Sequence, residues 1–166
     1  MHAVAPPSMS VCPGCGLTLP AGDTTYDRKF NASAECWATF ETVIAAEFQN
    51  PSLFGQVHQL TVDAYAVQHA GGGHPDKSVC IHLAGLQLTM ERGLRPVDVP
   101  PRLQRLARRT SWPHLESPAT RAGLTIGDVA GAESAGAHAE RVRAWAQAVW
   151  SAWAPHHATA RELAAG

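Results

Sequence analysis

Apolar side chains recur at a helical period over most of the chain, and this pattern predicts a mainly α-helical protein. The clearest case is a predicted helix over 34–48, for which Ser33 is a suitable N-cap. Its apolar positions, spaced for one helical face, are Trp37, Phe40, Ile44 and Phe48. Further helices are predicted over about 55–69, 76–92, 101–109 and 133–153, together with a short one that Thr125 and Asp128 would cap.

The region before the first predicted helix has a different pattern. Residues 11–34 are rich in Gly, Thr, Asp and Pro, which favours turns and short extended segments, with 24–26 as the best strand candidate. We expect residues 1–10 to form a flexible tail. No internal repeat is visible, so the sequence predicts a single-domain helical bundle over 11–166 that begins with a small cysteine-containing segment, the N-terminal knuckle (11–36).

The charge balance excludes several classes of partner. The 166 residues include 13 basic and 14 acidic side chains, which gives a formal net charge of −1. Near-neutrality argues against a nucleic-acid-binding surface and a polybasic membrane anchor, and no apolar run is long enough to span a membrane. Residues 1–10 lack the features of a signal peptide, so we expect a cytoplasmic protein with reduced cysteines. The preference for Arg over Lys, with abundant Ala and Gly, is typical of a GC-rich bacterial genome.

The nine histidines and four cysteines point to metal binding. Cys12-Pro13-Gly14-Cys15-Gly16 has the spacing of a zinc knuckle, in which glycine permits the turn that directs both sulfurs to one ion. Cys36 lies at the N-terminus of a predicted helix, where the helix dipole favours a thiolate, so it is the expected third ligand. The spacing leaves the fourth ligand open between Cys80 and a histidine. A redox-active cysteine pair and free loop cysteines are the alternatives to a metal site.

A second group of candidate residues lies on the predicted helices. The glycine-rich segment 71–73 makes the second and third predicted helices antiparallel neighbours, which would bring His69 close to Ser78 and His82. His69, His82 and one histidine of the pair 156–157 would then form a three-histidine site. Such a site has an open coordination position, as a catalytic metal needs. The alternative is that each histidine only makes hydrogen bonds within a helix interface.

Two further features have weaker signals. The last long predicted helix contains three tryptophans, including Trp153, which are either core residues or the lining of an apolar pocket. Arg102, Arg105 and Arg109 form a basic stripe that we interpret as a solvated face or as a contact for an anionic ligand. No nucleotide-binding, zinc-protease, α/β-hydrolase or calcium-binding motif occurs in the sequence.

The cysteine motifs are accompanied by one distinctive run, Val62-Asp63-Ala64-Tyr65-Ala66-Val67-Gln68-His69. Together with Glu35-Cys36-Trp37, Ser78, His82-Leu83 and the C-terminal tryptophans before His156-His157, it resembles a bacterial family of unknown function, the DUF5946 family. The resemblance spans nearly the whole chain and implies a single-domain helical protein. It brings no established activity, substrate or catalytic residue, but it strengthens five candidates: Asp63, Gln68, His69, His82 and His157.

We therefore expect a zinc-binding protein, although other transition metals also suit such ligands. The expected metal ligands are Cys12, Cys15, Cys36 and His157. The expected catalytic residues are Asp63, His69 and His82, in a pocket lined by Tyr65, Gln68, Ser78, His156 and Trp153. The first functional hypothesis is a metal-dependent enzyme acting on a small molecule. The second is a non-catalytic binding or regulatory module in which zinc is purely structural.

Overall fold

The computed structural model describes residues 4–26 and 29–166. The described chain is mainly helical, with 58% of residues in helix, seven α-helices and one two-stranded sheet. The elements are, in chain order, β1 (Met9–Val11), β2 (Thr18–Pro20), α1 (Ala34–Phe48), α2 (Pro51–Gln68), α3 (Asp76–Leu86), α4 (Pro100–Leu106), α5 (Ile126–Ala130), α6 (Ala135–Ala152) and α7 (His157–Ala165). A π-helical turn, Gln87–Glu91, continues α3, and 3₁₀ turns occur at Pro96–Asp98 and Ala154–His156. None of the helices in the described ranges combines the length and apolarity needed to cross a membrane.

The helix termini follow local signals in the sequence. Helix α1 has the predicted bounds, and Ser33 caps it by accepting a hydrogen bond from the backbone N–H of Cys36 at 3.1 Å. Helix α2 begins earlier than predicted, because Asn50 caps it and a proline occupies its first turn, where no backbone donor is needed. Thr125 and Asp128 form the predicted capping box at the start of α5.

Helix α2 lies at the centre of the bundle, since it packs against α1, α3 and α6. Between Leu60 and Val67 nearly every side chain of α2 is buried. Trp145 of α6 is fully buried against it, and its indole N–H donates to Oε1 of Gln68 at 2.9 Å. Because α2 is enclosed in this way, its polar side chains need partners inside the protein.

The two strands form a short antiparallel hairpin in which Ser10 lies opposite Leu19. This differs from the prediction of a strand at 24–26, a stretch that the structure shows as irregular. Met9 and Ser10, which the sequence analysis places in the flexible tail, belong to β1, and residues 1–3 of that tail lie outside the described residues. The glycine-containing turn between the two cysteines brings the flanking segments together, so the hairpin forms around the cysteine motif.

Candidate metal centre

Four donor residues from three parts of the fold converge at one point: Cys12, Cys15, Cys36 and His69. The first two lie in the loop of the hairpin, Cys36 is in the first turn of α1, and His69 is the C-cap of α2. Their donor atoms all lie within 4.8 Å of one another. The residues are 0%, 4%, 0% and 0% exposed, respectively. Three buried thiols and an imidazole in such proximity have the composition of a Cys3His zinc site.

The measured distances fit a tetrahedral ion. Zinc lies about 2.3 Å from sulfur and about 2.0–2.1 Å from nitrogen, so a tetrahedron places two sulfurs about 3.8 Å apart and a sulfur and a nitrogen about 3.5 Å apart. The Sγ atoms of Cys15 and Cys36 are 3.8 Å apart. Sγ of Cys36 is 3.4 Å from Nε2 of His69. Both edges therefore have the length that zinc, or another transition metal of similar size, requires.

His69 presents the nitrogen that a metal ligand needs. Its Nδ1 lies 2.7 Å from the backbone carbonyl oxygen of Tyr65, which can only accept a hydrogen bond. Nδ1 therefore has the proton, and Nε2, which faces Cys36, has the free lone pair. The imidazole also stacks on the Tyr65 ring with centroids 4.0 Å apart, which fixes its orientation.

Two hydrogen-bond donors support the sulfurs from outside the cluster. The backbone N–H of Leu17 donates to Sγ of Cys15 at 3.4 Å, and the Tyr65 hydroxyl donates to Sγ of Cys36 at 3.5 Å. Burial raises the pKa of Tyr65, so its hydroxyl remains protonated and able to donate. Donors of this kind stabilise the negative charge that three thiolates bring to a buried site.

The three sulfurs lie close enough together to affect one another's ionisation. The thiols of Cys15 and Cys36 donate to Cys12, which lowers the pKa of Cys12 far below its ordinary value. The same hydrogen bonds raise the pKa of Cys15 to about 12 and that of Cys36 further still. Proximity therefore opposes the simultaneous ionisation of all three thiols. A divalent cation removes this restriction, because it stabilises all three thiolates at once.

Gly14 allows the hairpin loop to reach His69. A Cβ atom at this position would overlap the backbone oxygen of Asn31 and lie 2.7 Å from Cδ2 of His69. The backbone N–H of Asn31 in turn donates to the carbonyl oxygen of His69 at 3.0 Å. Gly14 is therefore required by close packing of the knuckle on the end of α2.

The structure places the expected fourth ligand, His157, elsewhere. Its Nε2 lies 2.7 Å from the backbone carbonyl oxygen of Trp150, and its ring stacks on the Trp150 ring with centroids 3.6 Å apart. His156 likewise uses its Nε2, which lies 2.7 Å from the carbonyl oxygen of Glu116. Both imidazoles are thus occupied by backbone acceptors, and His69 takes the fourth position beside the three sulfurs.

The three expected catalytic residues are divided between two locations. His69 belongs to the cysteine cluster, formed by Cys12, Cys15, Cys36 and His69. His82 and Asp63 lie between α2 and α3, where Nδ1 of His82 is 2.7 Å from Oδ1 of Asp63. Ser78 is not part of either group, since its hydroxyl lies 2.7 Å from Nε2 of His74. Within the described residues, the three-histidine site is not formed, because the cysteine cluster is the one group of three or more donors close enough to share an ion.

The expected pocket residues are also separated. Gln68 and Trp153 line a shallow cleft together with Gly14 and Arg121, beside the cysteine cluster. Tyr65 is fully buried beneath the cluster, where it stacks on His69. The cleft therefore contains two of the five expected lining residues, and the knuckle forms part of its wall.

The sequence analysis missed Glu47, a fully buried carboxylate. Its Oε1 accepts a hydrogen bond from Thr61 Oγ1 at 2.5 Å and lies 3.0 Å from Nε2 of His138. Its Oε2 lies 2.8 Å from Nδ1 of His58. The sequence did contain a signal for the burial of Glu47, because this residue shares the apolar face of α1 with Phe40 and Val43 at helical spacing.

The fold and the cluster define a mainly α-helical protein with a buried Cys3His group able to hold a metal ion. The chain belongs to the DUF5946 family, described as a family of unknown function, whose model matches residues 10–154. This confirms the resemblance found in the sequence. Comparison with curated proteins and comparison with solved structures each gave no match.

Proposed function

We propose that the protein holds zinc in a closed structural site formed by Cys12, Cys15, Cys36 and His69. The observation that supports this proposal is the convergence of four buried donors at tetrahedral spacing. Four protein ligands complete the coordination of zinc, which is the arrangement of structural rather than catalytic sites. Of the two hypotheses from the sequence, this favours the module in which zinc is structural.

The role of the ion in this proposal is to join the hairpin to the helical core. The hairpin supplies two ligands, and α1 and α2 supply one each. A short two-stranded hairpin has little stability of its own in water. Coordination energy would therefore hold the N-terminal knuckle against the junction of α1 and α2, and metal loading would be part of folding.

Elemental analysis of variants tests the proposed ligand set. Purified wild-type protein is expected to contain about one zinc ion per chain, as one four-ligand site requires. Cys36→Ser and His69→Ala are expected to lose most of it, while His157→Ala, a matched histidine control, keeps it. If His69→Ala kept its full metal content and His157→Ala lost it, the proposal would be wrong. The fourth ligand would then be His157, as expected from the sequence.

We infer a second candidate function, an acid–base role for Asp63 and His82. The carboxylate of Asp63 is fully buried, and one of its oxygens, Oδ2, has no hydrogen-bond partner among the described residues. Oδ1 lies 2.7 Å from Nδ1 of His82 and accepts from Gln59 at 2.8 Å. Burial raises the pKa of Asp63, and the hydrogen bond to His82 opposes this increase.

The local packing accommodates this carboxylate specifically. A Cβ atom on Gly85 of α3 would overlap the Asp63 carboxyl group, so glycine is needed where the two helices meet. The His82 side chain is 20% exposed. A buried carboxylate that orients a partly exposed imidazole is the arrangement of a general base, which is the observation that keeps the enzyme hypothesis as a proposal.

Chemical modification of histidine tests the second candidate. With diethyl pyrocarbonate, His82 is expected to react several-fold faster in the wild type than in Asp63→Asn, because the carboxylate holds Nδ1 and so leaves Nε2 as the free nitrogen of an oriented ring. His114, which is exposed, serves as the internal control and should react equally in both proteins. Equal rates for His82 in the two proteins, measured by peptide mass mapping, would exclude an activating role for Asp63.

A further inference from the structure

A cavity of about 170 Å³ lies where α3 and its π-helical extension, α4 and the end of α7 meet. It shares no lining residue with the cysteine cluster. Its apolar lining comes from four leucines with 1–7% exposure: Leu88, Leu103, Leu106 and Leu163. A volume of about 150 Å³ is enough for a single six-membered ring, so a cavity of this size has room for a compact organic group beside the leucines.

Three arginines line the same cavity: Arg92, Arg102 and Arg105. Within residues 4–26 and 29–166, none of the three has a carboxylate oxygen within 4.0 Å. The neighbouring Arg95 and Arg161 differ, because they pair with Asp98 and Glu91 at 2.8 and 2.6 Å. Among the described residues, the three cavity arginines therefore remain free to bind a ligand.

The negative charge that the fold itself provides at the cavity is small. The C-terminal end of α7, Ala164–Gly166, contributes carbonyl groups equivalent to about half a negative charge. Even with a carboxylate at Gly166, about −1.5 charges would face three guanidinium groups. Positive charge therefore remains in excess, although the whole chain has a formal net charge of −1.

We propose that this cavity binds a small phosphorylated molecule with a compact apolar body. The planar guanidinium fork matches phosphate oxygens in a bidentate manner, and three such groups suit a dianion better than a single carboxylate. The apolar body would lie against the leucine floor, while the phosphate faces the arginines. This also explains the basic stripe at Arg102 and Arg105 as a ligand contact instead of a solvated face.

Isothermal titration calorimetry with phenyl phosphate, at fixed ionic strength, tests this proposal. The wild type is expected to bind it saturably and at least about tenfold more tightly than inorganic phosphate, because burying a ring of this size against the leucine floor contributes more than the roughly 1.4 kcal/mol of a tenfold change. Arg102→Gln and Arg105→Gln should each weaken binding about tenfold or more, the loss expected for one charge-assisted hydrogen bond.

Arg108→Gln is the matched control, since Arg108 follows the same helix and is exposed but does not line the cavity. It removes the same charge and should change the affinity less than about twofold, as a screened surface charge does. Equal losses in Arg108→Gln and Arg102→Gln would show a diffuse charge effect and overturn the proposal. So would equal affinities for phenyl phosphate and inorganic phosphate, or no saturable binding by protein whose circular dichroism spectrum shows it folded.

Discussion

His69, His82 and His157 differ in which ring nitrogen is already occupied. His69 uses Nδ1 for a backbone carbonyl oxygen, so its Nε2 is available to the cysteine cluster. His82 uses Nδ1 for the Asp63 carboxylate, which leaves its Nε2 for solvent or a ligand. His157 uses Nε2 for a hydrogen bond to the carbonyl oxygen of Trp150. At the residue scale, the partner of one ring nitrogen distinguishes a candidate metal ligand, a candidate base and a packing residue.

At the element scale, α2 contributes to three buried polar groups, which are the cysteine cluster, the Asp63–His82 pair and the group around Glu47. Its C-cap is the candidate metal ligand His69, its middle turn contains Asp63, and Thr61 and His58 contact Glu47 of α1. His138 of α6 lies 3.0 Å from the same carboxylate. The Glu47 group therefore joins α1, α2 and α6 by hydrogen bonds in the interior, where an unpaired polar atom is costly.

Glu47→Gln is expected to destabilise the protein by about 3 kcal/mol. The substitution conserves volume but removes the charge and replaces an acceptor oxygen by an amide that must face Thr61, His58 or His138. Urea denaturation of metal-loaded protein measures the effect. Glu41→Gln, on the exposed side of the same helix, is the control and should change the free energy of unfolding by less than about 0.5 kcal/mol. Two variants of equal stability would show that the Glu47 network contributes nothing.

At the scale of the whole molecule, the sequence predicted the helical fold better than the site. Helix α1 and the capping box of α5 depend on residues close in the chain, and both were located correctly. Three cysteines were identified as candidate ligands from their spacing and from the position of Cys36 at a helix start. The position of His69 as the fourth donor could not be predicted from sequence spacing. It depends on where α2 ends relative to the hairpin loop, which is a packing relation between distant segments.

The same limit applies to the other polar groups. The pairing of Asp63 with His82 depends on how closely α2 and α3 approach at Gly85, which helical periodicity does not specify. Arg102 and Arg105 were visible in a basic stripe, but Arg92 was not, and the cavity beside them forms only because α7, from the C-terminal part of the chain, packs against α3 and α4. Local sequence signals thus predict the helices, whereas the polar sites depend on how distant helices pack together.

X-ray absorption spectroscopy of the zinc-loaded protein tests the central claim most directly, because it counts the donor atoms around the ion. The closed Cys3His site predicts three sulfurs at about 2.3 Å and one imidazole nitrogen at about 2.0–2.1 Å, with no oxygen ligand. A spectrum with fewer than three sulfurs, or with a water oxygen in the coordination sphere, would contradict the account and indicate an open site.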